Sequence, residues 1–110
     1  MSTLAANTCK PCEAGVAPLH GHDLERLQDQ IAGWDVVREH HLTKEFKFPD
    51  FITALAFVNR IGQLAEQQSH HPDIILSWGR VRVDIWTHKI DGLSENDFIL
   101  AAKIDELPLT

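Results

Sequence analysis

The fold of this chain is decided between residues 66 and 88, which run Glu66-Gln-Gln-Ser-His-His-Pro-Asp-Ile-Ile-Leu-Ser-Trp-Gly-Arg-Val-Arg-Val-Asp-Ile-Trp-Thr-His88. Pro72 disfavours helical geometry in the residue before it, so a helix that arrives from the N-terminal side ends close to this point. Gly79 then divides two apolar runs. This pattern predicts two strands, over residues 73–78 and 80–88, joined by a tight turn.

Periodic apolar patterns on both sides of this stretch predict the remaining elements. The run from Phe51 to Ala65 carries a wide apolar stripe, and Asp50 before it provides a carboxylate suited to the unpaired amides of a helix start. Shorter patterns predict a first helix over 23–31, strands over 34–38 and 42–48, and a last helix from Ser94-Glu-Asn-Asp97. The predicted fold class is α+β, a two-layer sandwich with a four-stranded antiparallel sheet and three helices on one face, in the order α-β-β-α-β-β-α.

The chain of 110 residues has the length of a single domain. Residues 1–18 are rich in small and polar types and predict a flexible N-terminal arm, followed by one domain over residues 19–110. The stripe on the long helix is wider than one thin sheet would cover. We therefore expect it to serve partly as a subunit interface, with Phe57, Ile61 and Leu64 as candidates.

The composition narrows the class of partner. The formal net charge is −6, which argues against direct binding of nucleic acid, because such binding depends on clustered Lys and Arg. No run approaches the roughly 20 apolar residues of a membrane span, and the N-terminus lacks a secretory signal, so we expect a cytoplasmic protein without membrane contact. Cys9 and Cys12 are too close together to close a useful disulfide loop.

Three histidines suggest proton-transfer chemistry. The unperturbed pKa of histidine, about 6.5, allows it to donate and accept protons near neutrality. His70 and His88 belong to different predicted elements and could face a substrate from two directions, so we expect them to be the catalytic pair. His71 points away from His70 if both are extended, and it is expected to contact substrate or to set the tautomer of a partner.

The order of these residues resembles a known family. An acidic residue, three spacers, His-His-Pro, five spacers, an aromatic residue, nine spacers, His, eight spacers and Asp is similar to the signature of the pterin-4a-carbinolamine dehydratases. The positions are filled by Glu66, His70, His71, Pro72, Trp78, His88 and Asp97. The resemblance covers roughly residues 20 to 107 and implies the fold predicted above.

The resemblance also implies an activity. Members dehydrate 4a-hydroxytetrahydropterin to quinonoid dihydropterin and water, which recycles the cofactor of aromatic amino-acid hydroxylases. A homodimer or homotetramer is implied, and neither a cofactor nor a metal. Some relatives instead act as a dimerisation cofactor of a homeodomain transcription factor, so a protein-binding module is the alternative function.

The remaining site residues have competing explanations. We expect substrate-binding roles for a set of five: Glu66, Pro72, Trp86, Thr87 and Asp97. Glu66 could instead be exposed on the last helical turn, or could orient His70 or the pterin ring by a hydrogen bond. Asp97 is placed to cap the last helix, which we favour over direct catalysis. Trp78 and Trp86 are expected to pack, and His40 and His41 to face solvent at a strand end.

Two metal sites were considered as alternatives. His70, His71 and His88 could bind zinc through neutral imidazole, although the acid-base scheme is favoured over this. Cys9 and Cys12 with His20 and His22 have the donor count of a zinc site, but the His-x-His spacing is unlike that of common fingers. The sequence therefore predicts no metal.

Overall fold

Three α-helices and one four-stranded sheet make up the computed structural model, which describes residues 4–10 and 16–109. The helices are α1 (Gly21–Gln28), α2 (Phe51–Gln68) and α3 (Glu95–Asp105), and the strands are β1 (Asp35–Val37), β2 (His41–Lys47), β3 (Asp73–Ser77) and β4 (Arg80–Ile85). Short 3₁₀ helices span Leu4–Ala6 and His88–Ile90. The predicted α+β class and the order α-β-β-α-β-β-α are confirmed.

The sheet has the strand order β1-β2-β4-β3, and every neighbouring pair is antiparallel. The turn between β3 and β4 depends on Gly79, whose φ is +65°. A Cβ at this position would lie 2.9 Å from the carbonyl oxygen of Phe48, and the same two residues are joined by a hydrogen bond from the Phe48 amide to the Gly79 carbonyl. Glycine is therefore required by both conformation and space.

The core lies between the helices and one face of the sheet. Alternate residues of β4, namely Val81, Val83 and Ile85, are fully buried, as the period-2 pattern predicts. Phe57 and Ile61 of α2 are also fully buried in this chain's own core, so the expectation that they belong to a subunit interface is wrong. The stripe of α2 is covered by the sheet and α3, and the exposed apolar residues of this helix lie at its start, at Phe51 and Ile52.

Strand β4 ends earlier than predicted. It stops at Ile85, and Thr87 forms an isolated bridge with Gly92 through a 2.8 Å hydrogen bond from the Thr87 amide. The chain between them turns through the 3₁₀ helix and reverses at Asp91, which has a φ of 48°. His88 therefore projects from a loop and not from a strand face. Local pairing of Thr87 with Gly92 replaces the continuation of the sheet.

The N-terminal segment, which we define as residues 4–10, lies against the domain. Leu4 is only 3% exposed and belongs to the hydrophobic core. The sequence prediction placed this segment in an arm with no part in the core, and Leu4 departs from that prediction because α3 offers it an apolar surface. The domain boundary at residue 18 stays a prediction.

In the part of the chain that the structure describes, no helix combines the length and the apolar character needed to span a membrane.

Candidate active site

A pocket of about 510 Å³ opens where the end of α2, the loop after β4 and the start of α3 meet. Its walls come from four segments of the chain that are far apart in sequence. The lining residues are Cys9, Lys10, Gln67, Gln68, Ser69, His70, His71, Trp86, Thr87, His88, Lys89 and Asn96. The pocket therefore contains all three histidines that the sequence analysis selected.

His70 is positioned by the way α2 ends. Ser69 adopts the left-handed conformation with a φ of 53°, and the amide of His70 donates to the carbonyl oxygen of Ala65 over 3.2 Å. This six-to-one hydrogen bond is typical of a Schellman helix end. The chain is thus turned sharply before Pro72, and the His70 backbone is fixed at the helix terminus. Its side chain is 12% exposed.

A buried carboxylate holds the His70 ring. Asp97 is fully buried, and its Oδ1 lies 2.6 Å from Nε2 of His70. The other oxygen, Oδ2, accepts hydrogen bonds from the Ser94 amide and from the Thr87 hydroxyl, each over 2.8 Å. A buried carboxylate is stable only when it is paired and hydrogen-bonded, and Asp97 meets this condition through three partners.

The Thr87 hydroxyl connects Asp97 to the side chain of Ser94. Its single proton goes to Asp97, so the Ser94 hydroxyl, 2.7 Å away, donates to the Thr87 oxygen. Ser94 and Asp97 also form the reciprocal capping box at the start of α3. The predicted capping role of Asp97 is confirmed by this geometry, and the same carboxylate additionally contacts His70.

The hydrogen bond to Asp97 defines which nitrogen of His70 carries a proton. Because a carboxylate accepts, Nε2–H of His70 is the donor. In the neutral ring, Nδ1 is then the nitrogen that can accept a proton, and His70 is one of the residues that line the pocket. His70 therefore has the arrangement of a general base.

His71 is paired in a similar way on the surface. Its Nε2 donates to Oε2 of Glu66, which lies one helical turn earlier at the end of α2, and both side chains are mostly exposed. The sequence analysis offered His70 or the pterin ring as the partner of Glu66. The hydrogen bond that Glu66 makes is to His71, because His70 is already held by Asp97.

The aromatic ring of Trp86 lies next to the rings of three histidines. The centroid of Trp86 lies 4.6 Å from that of His88, 5.4 Å from that of His40 and 6.0 Å from that of His41. His40 also donates from Nε2 to Oδ1 of Asp91 over 2.8 Å, which ties it to the loop that carries His88. Half-buried His40 and His41 are thus not the solvent-facing residues that the sequence suggested.

The chain matches the family model described as pterin 4 alpha carbinolamine dehydratase over residues 17–107. It belongs to this family. A relative from Rubrobacter xylanophilus, named "Putative pterin-4-alpha-carbinolamine dehydratase", is 58% identical and is aligned over 97% of this chain and all of its own length. A relative from Alkaliphilus metalliredigens with the same name is 50% identical over 96% of each chain.

Solved structures agree with the pterin 4 alpha carbinolamine dehydratase fold. A Brucella melitensis protein described as a transcriptional coactivator/pterin dehydratase superposes with a TM-score of 0.75 at 31% identity, covering 80% of this chain and 95% of its own. A pterin dehydratase-like protein described as a RuBisCO assembly factor of the α-carboxysome has a TM-score of 0.57 at 23% identity, covering 66% and 86%. The second likeness concerns the fold alone.

The residues expected to form the site differ in whether they line the pocket. His70, His71, His88, Trp86 and Thr87 line it, whereas Glu66, Pro72 and Asp97 do not. Asp97 and Glu66 lie behind His70 and His71 as their hydrogen-bond partners. Trp78 is 72% exposed at the β3–β4 turn, so the expectation that it packs within this chain is wrong.

Sequence reasoning missed the part of the pocket that comes from outside the histidine motif. Gln68 and Asn96 lie at the end of α2 and the start of α3, and Cys9 and Lys10 come from the N-terminal segment. No motif marks these positions. Helix ends next to the His-His-Pro sequence and next to Asp97 were the available signal for Gln68 and Asn96.

The described residues include no group of three or more His, Cys, Asp or Glu side chains placed to hold a metal. Cys12, which belonged to the second metal hypothesis, lies outside the described residues. Burial, followed by the charge of Asp97, raises the pKa of the Cys9 thiol to about 11. Cys9 is therefore a neutral thiol near pH 7 and not a thiolate.

Proposed function

We propose that this protein dehydrates 4a-hydroxytetrahydropterin to quinonoid dihydropterin and water by histidine general acid-base catalysis. The observation that carries this proposal is the His70–Asp97 pair at a pocket that also contains His71 and His88. Membership in the family supports the class of substrate. The arrangement of the rings supports the type of reaction.

The elimination moves two protons. Nδ1 of His70 removes the proton on N5 of the pterin, the N5 electron pair forms the C4a=N5 bond, and the C4a–O bond breaks. His88, in its protonated form, gives a proton to the departing hydroxyl, which leaves as water. Positioned acid and base groups typically contribute ~10²–10⁴-fold each. His88 is exposed and exchanges its proton with solvent for the next turnover.

The other residues of the set would bind and orient the ring. Trp86 offers an aromatic surface to a flat pterin, and His71, held by Glu66, contacts the substrate edge. Thr87 acts through Asp97, since its hydroxyl donates to that carboxylate. We place Pro72 in a supporting role, where it turns the chain after His71.

The biological setting is part of the same proposal. Dehydration of the 4a-carbinolamine returns the oxidised pterin to the cofactor cycle of an aromatic amino-acid hydroxylase. We expect a cytoplasmic homodimer or homotetramer that needs no cofactor, no metal, no nucleic acid and no membrane. Exposed Phe51 and Ile52 at the start of α2 are the surface that supports an oligomer.

The test is turnover of chemically generated 4a-hydroxytetrahydropterin by the purified protein. His70→Ala and His88→Ala should each lower kcat by ~10²–10⁴-fold. The double variant should fall well short of the sum of the singles in free energy, because the acid and base act in one step. Exhaustive chelation should leave the rate intact.

His22→Ala is the matched control, because His22 is exposed on α1 and outside the pocket. His40 is unsuitable as a control, because it contacts Trp86 and Asp91. Near-normal dehydration by a folded His88→Ala protein would refute the acid-base assignment. Activity that is lost with chelator and restored by zinc would refute the metal-free reaction.

A protein-binding module is the second candidate. The Brucella melitensis structure, described as a transcriptional coactivator/pterin dehydratase, favours keeping it. Such a module would use the helical surface and not the histidines, as a dimerisation cofactor of a transcription factor. A folded wild-type protein that fails to turn over the carbinolamine would favour this function.

A further inference from the structure

The N-terminal segment, residues 4–10, closes one side of the pocket, and we propose that it is a fixed wall of the substrate-binding site. This inference rests on the proposed function, because the ligand that the wall would contact is the pterin. The family match begins at residue 17, so the segment lies outside the residues that the family model covers. Its role follows from how it is held and from what it faces.

One end of the segment is anchored in the core, at residues that do not line the pocket. Leu4 is almost fully buried, and the Ala5 carbonyl accepts a 2.8 Å hydrogen bond from the Nζ of Lys103 on α3. Burial of a leucine side chain stabilises the segment's contact with the core through the hydrophobic effect. This end is therefore fixed by an apolar contact and a charge-assisted hydrogen bond that do not depend on the pocket.

The other end is anchored at the pocket by side chains of two helices. The Cys9 amide donates to Oε1 of Gln68 over 3.0 Å. The Lys10 amide donates to Oδ1 of Asn96 over 2.9 Å, and the Asn96 side-chain amide donates back to the Lys10 carbonyl over 2.6 Å. Asn96 thus pairs with the Lys10 backbone from both sides, as a neighbouring strand would.

The two residues that hold this end of the segment, Gln68 and Asn96, are close in sequence to His70 and Asp97. Gln68 is the last residue of α2, two residues before His70, and Asn96 precedes Asp97 in the first turn of α3. The Cys9 thiol donates to the Asn96 carbonyl, with a sulfur-to-oxygen distance of 3.6 Å. Burial and the charge of Asp97 raise the pKa of this thiol.

Cys9 and Lys10 line the pocket, the thiol of Cys9 is neutral, and neither residue has a part in the two proposed proton transfers. Contacts of this kind are made to the substrate and to the transition state alike. Uniform binding of both states changes KM and leaves kcat nearly unchanged. The N-terminal segment should therefore determine how tightly the pterin is held and not how fast it reacts.

Two variants release the segment from opposite ends. Lys103→Ala removes the donor to Ala5 without changing the pocket lining, and Gln68→Ala removes the acceptor of the Cys9 amide. Each should raise KM by about 3–10-fold, with kcat within about twofold of the wild type. Loss of one hydrogen bond lowers the fraction of molecules in which the N-terminal segment lies against the pocket. Hydrogen exchange at the Cys9 and Lys10 amides should become faster in both.

Conservative substitutions at the same two positions should restore the KM of the wild type. Lys103→Arg keeps a cationic donor and Gln68→Glu keeps an acceptor oxygen, so both should retain a KM close to that of the wild type. Gln63→Ala, one turn earlier on the exposed side of α2, is the control for the loss of a glutamine. A rise in KM for Lys103→Ala is decisive, since Lys103 does not line the pocket.

The proposal is overturned if exchange at Cys9 and Lys10 becomes faster while KM is unchanged, or if neither variant alters the exchange. A wild-type protein without turnover would overturn the proposed function, and this inference with it. A wild-type protein with turnover and variants without a KM effect would overturn the wall alone.

Discussion

The most demanding test of the site is Asp97→Asn, which keeps the size of the buried side chain and removes its charge. In the wild type, Oδ2 accepts from the Ser94 amide and the Thr87 hydroxyl, and Oδ1 accepts from His70. The Ser94 backbone N–H can only donate, so the asparagine oxygen must stay on its side. The amide NH₂ then faces Nε2 of His70.

This orientation reverses the His70 tautomer. Nε2 must accept from the asparagine, so the ring proton moves to Nδ1, the atom assigned to remove the pterin proton. Restoring the reactive tautomer against the amide costs about 1–3 kcal/mol, and the lost charge-assisted bond to the imidazolium costs about 1.5–3 kcal/mol more. A total of roughly 2.5–6 kcal/mol corresponds to a fall in kcat of about 10²–10⁴-fold.

The assay measures dehydration of 4a-hydroxytetrahydropterin together with the His70 tautomer, read from long-range nitrogen–proton correlations in NMR. Stability should fall by only about 1–2 kcal/mol, because the asparagine oxygen retains the cap on α3. Asp23→Asn, an exposed carboxylate on α1, is the control. The reasoning is refuted if folded Asp97→Asn keeps kcat within about threefold of the wild type, or if Nε2 still carries the proton.

Three further predictions concern the sheet and the surface. Burial acts to raise the pKa of Asp84, but hydrogen bonds from Arg82 and Thr43 outweigh burial, and the pKa is lowered. The ionised carboxylate therefore stabilises the fold at pH values above its unfolded pKa of about 3.8. This contribution is lost as the pH falls through the folded pKa. Asp84→Asn should therefore lower the free energy of unfolding by about 1–2 kcal/mol at pH 7 in urea, with the difference shrinking below pH 4. Gly79→Ala should cost about 1–3 kcal/mol, seen as a lower Tm, because of the positive φ and the close approach of an added Cβ to the carbonyl oxygen of Phe48. Ile52→Glu, at a position 68% exposed, should lower the mass measured by light scattering.

The two stability predictions have one control each. Glu45→Gln alters a partly exposed ion pair with a 3.8 Å separation and should change stability by less than about 1 kcal/mol. Gly62→Ala, in α2 with open space around it, should stabilise by about 0.5–1 kcal/mol. A stability difference for Asp84→Asn that persists at pH 3, an unchanged Tm for Gly79→Ala, or a parent protein that is already monomeric would contradict the respective prediction.

The elements of the fold could be predicted from the sequence because their signals are local. Pro72 ends α2, Gly79 permits the β3–β4 turn, and the alternation in β4 separates buried valines from exposed arginines over neighbouring residues. Each signal acts within a few residues of the chain, through steric limits on the backbone or the period of a strand. Strand β4 was predicted too long, because the pairing of Thr87 with Gly92 has no local signature.

The sequence predicted which residues form the candidate site, but not the contacts between them. The order of Glu66, His70, His71, His88 and Asp97 along the chain was sufficient to select them. The order did not show which carboxylate holds which imidazole. For Glu66 it left open an exposed position or a hydrogen bond to His70 or the pterin ring, and the structure shows an exposed Glu66 paired with His71. His70 and Asp97 are separated by 27 positions, and only the packing of α3 beside the end of α2 brings Nε2 within 2.6 Å of Oδ1.

By itself, the sequence determined the elements, their order and the residues with proton-transfer chemistry, because these depend on side-chain type and on short-range backbone limits. The tertiary structure alone decided the tautomer of His70, the aromatic wall around Trp86 and the place of Cys9 and Lys10 beside the reactive groups. Those features depend on distances between atoms far apart in the chain. Such distances are set by how the hydrophobic core closes, and no local pattern records them.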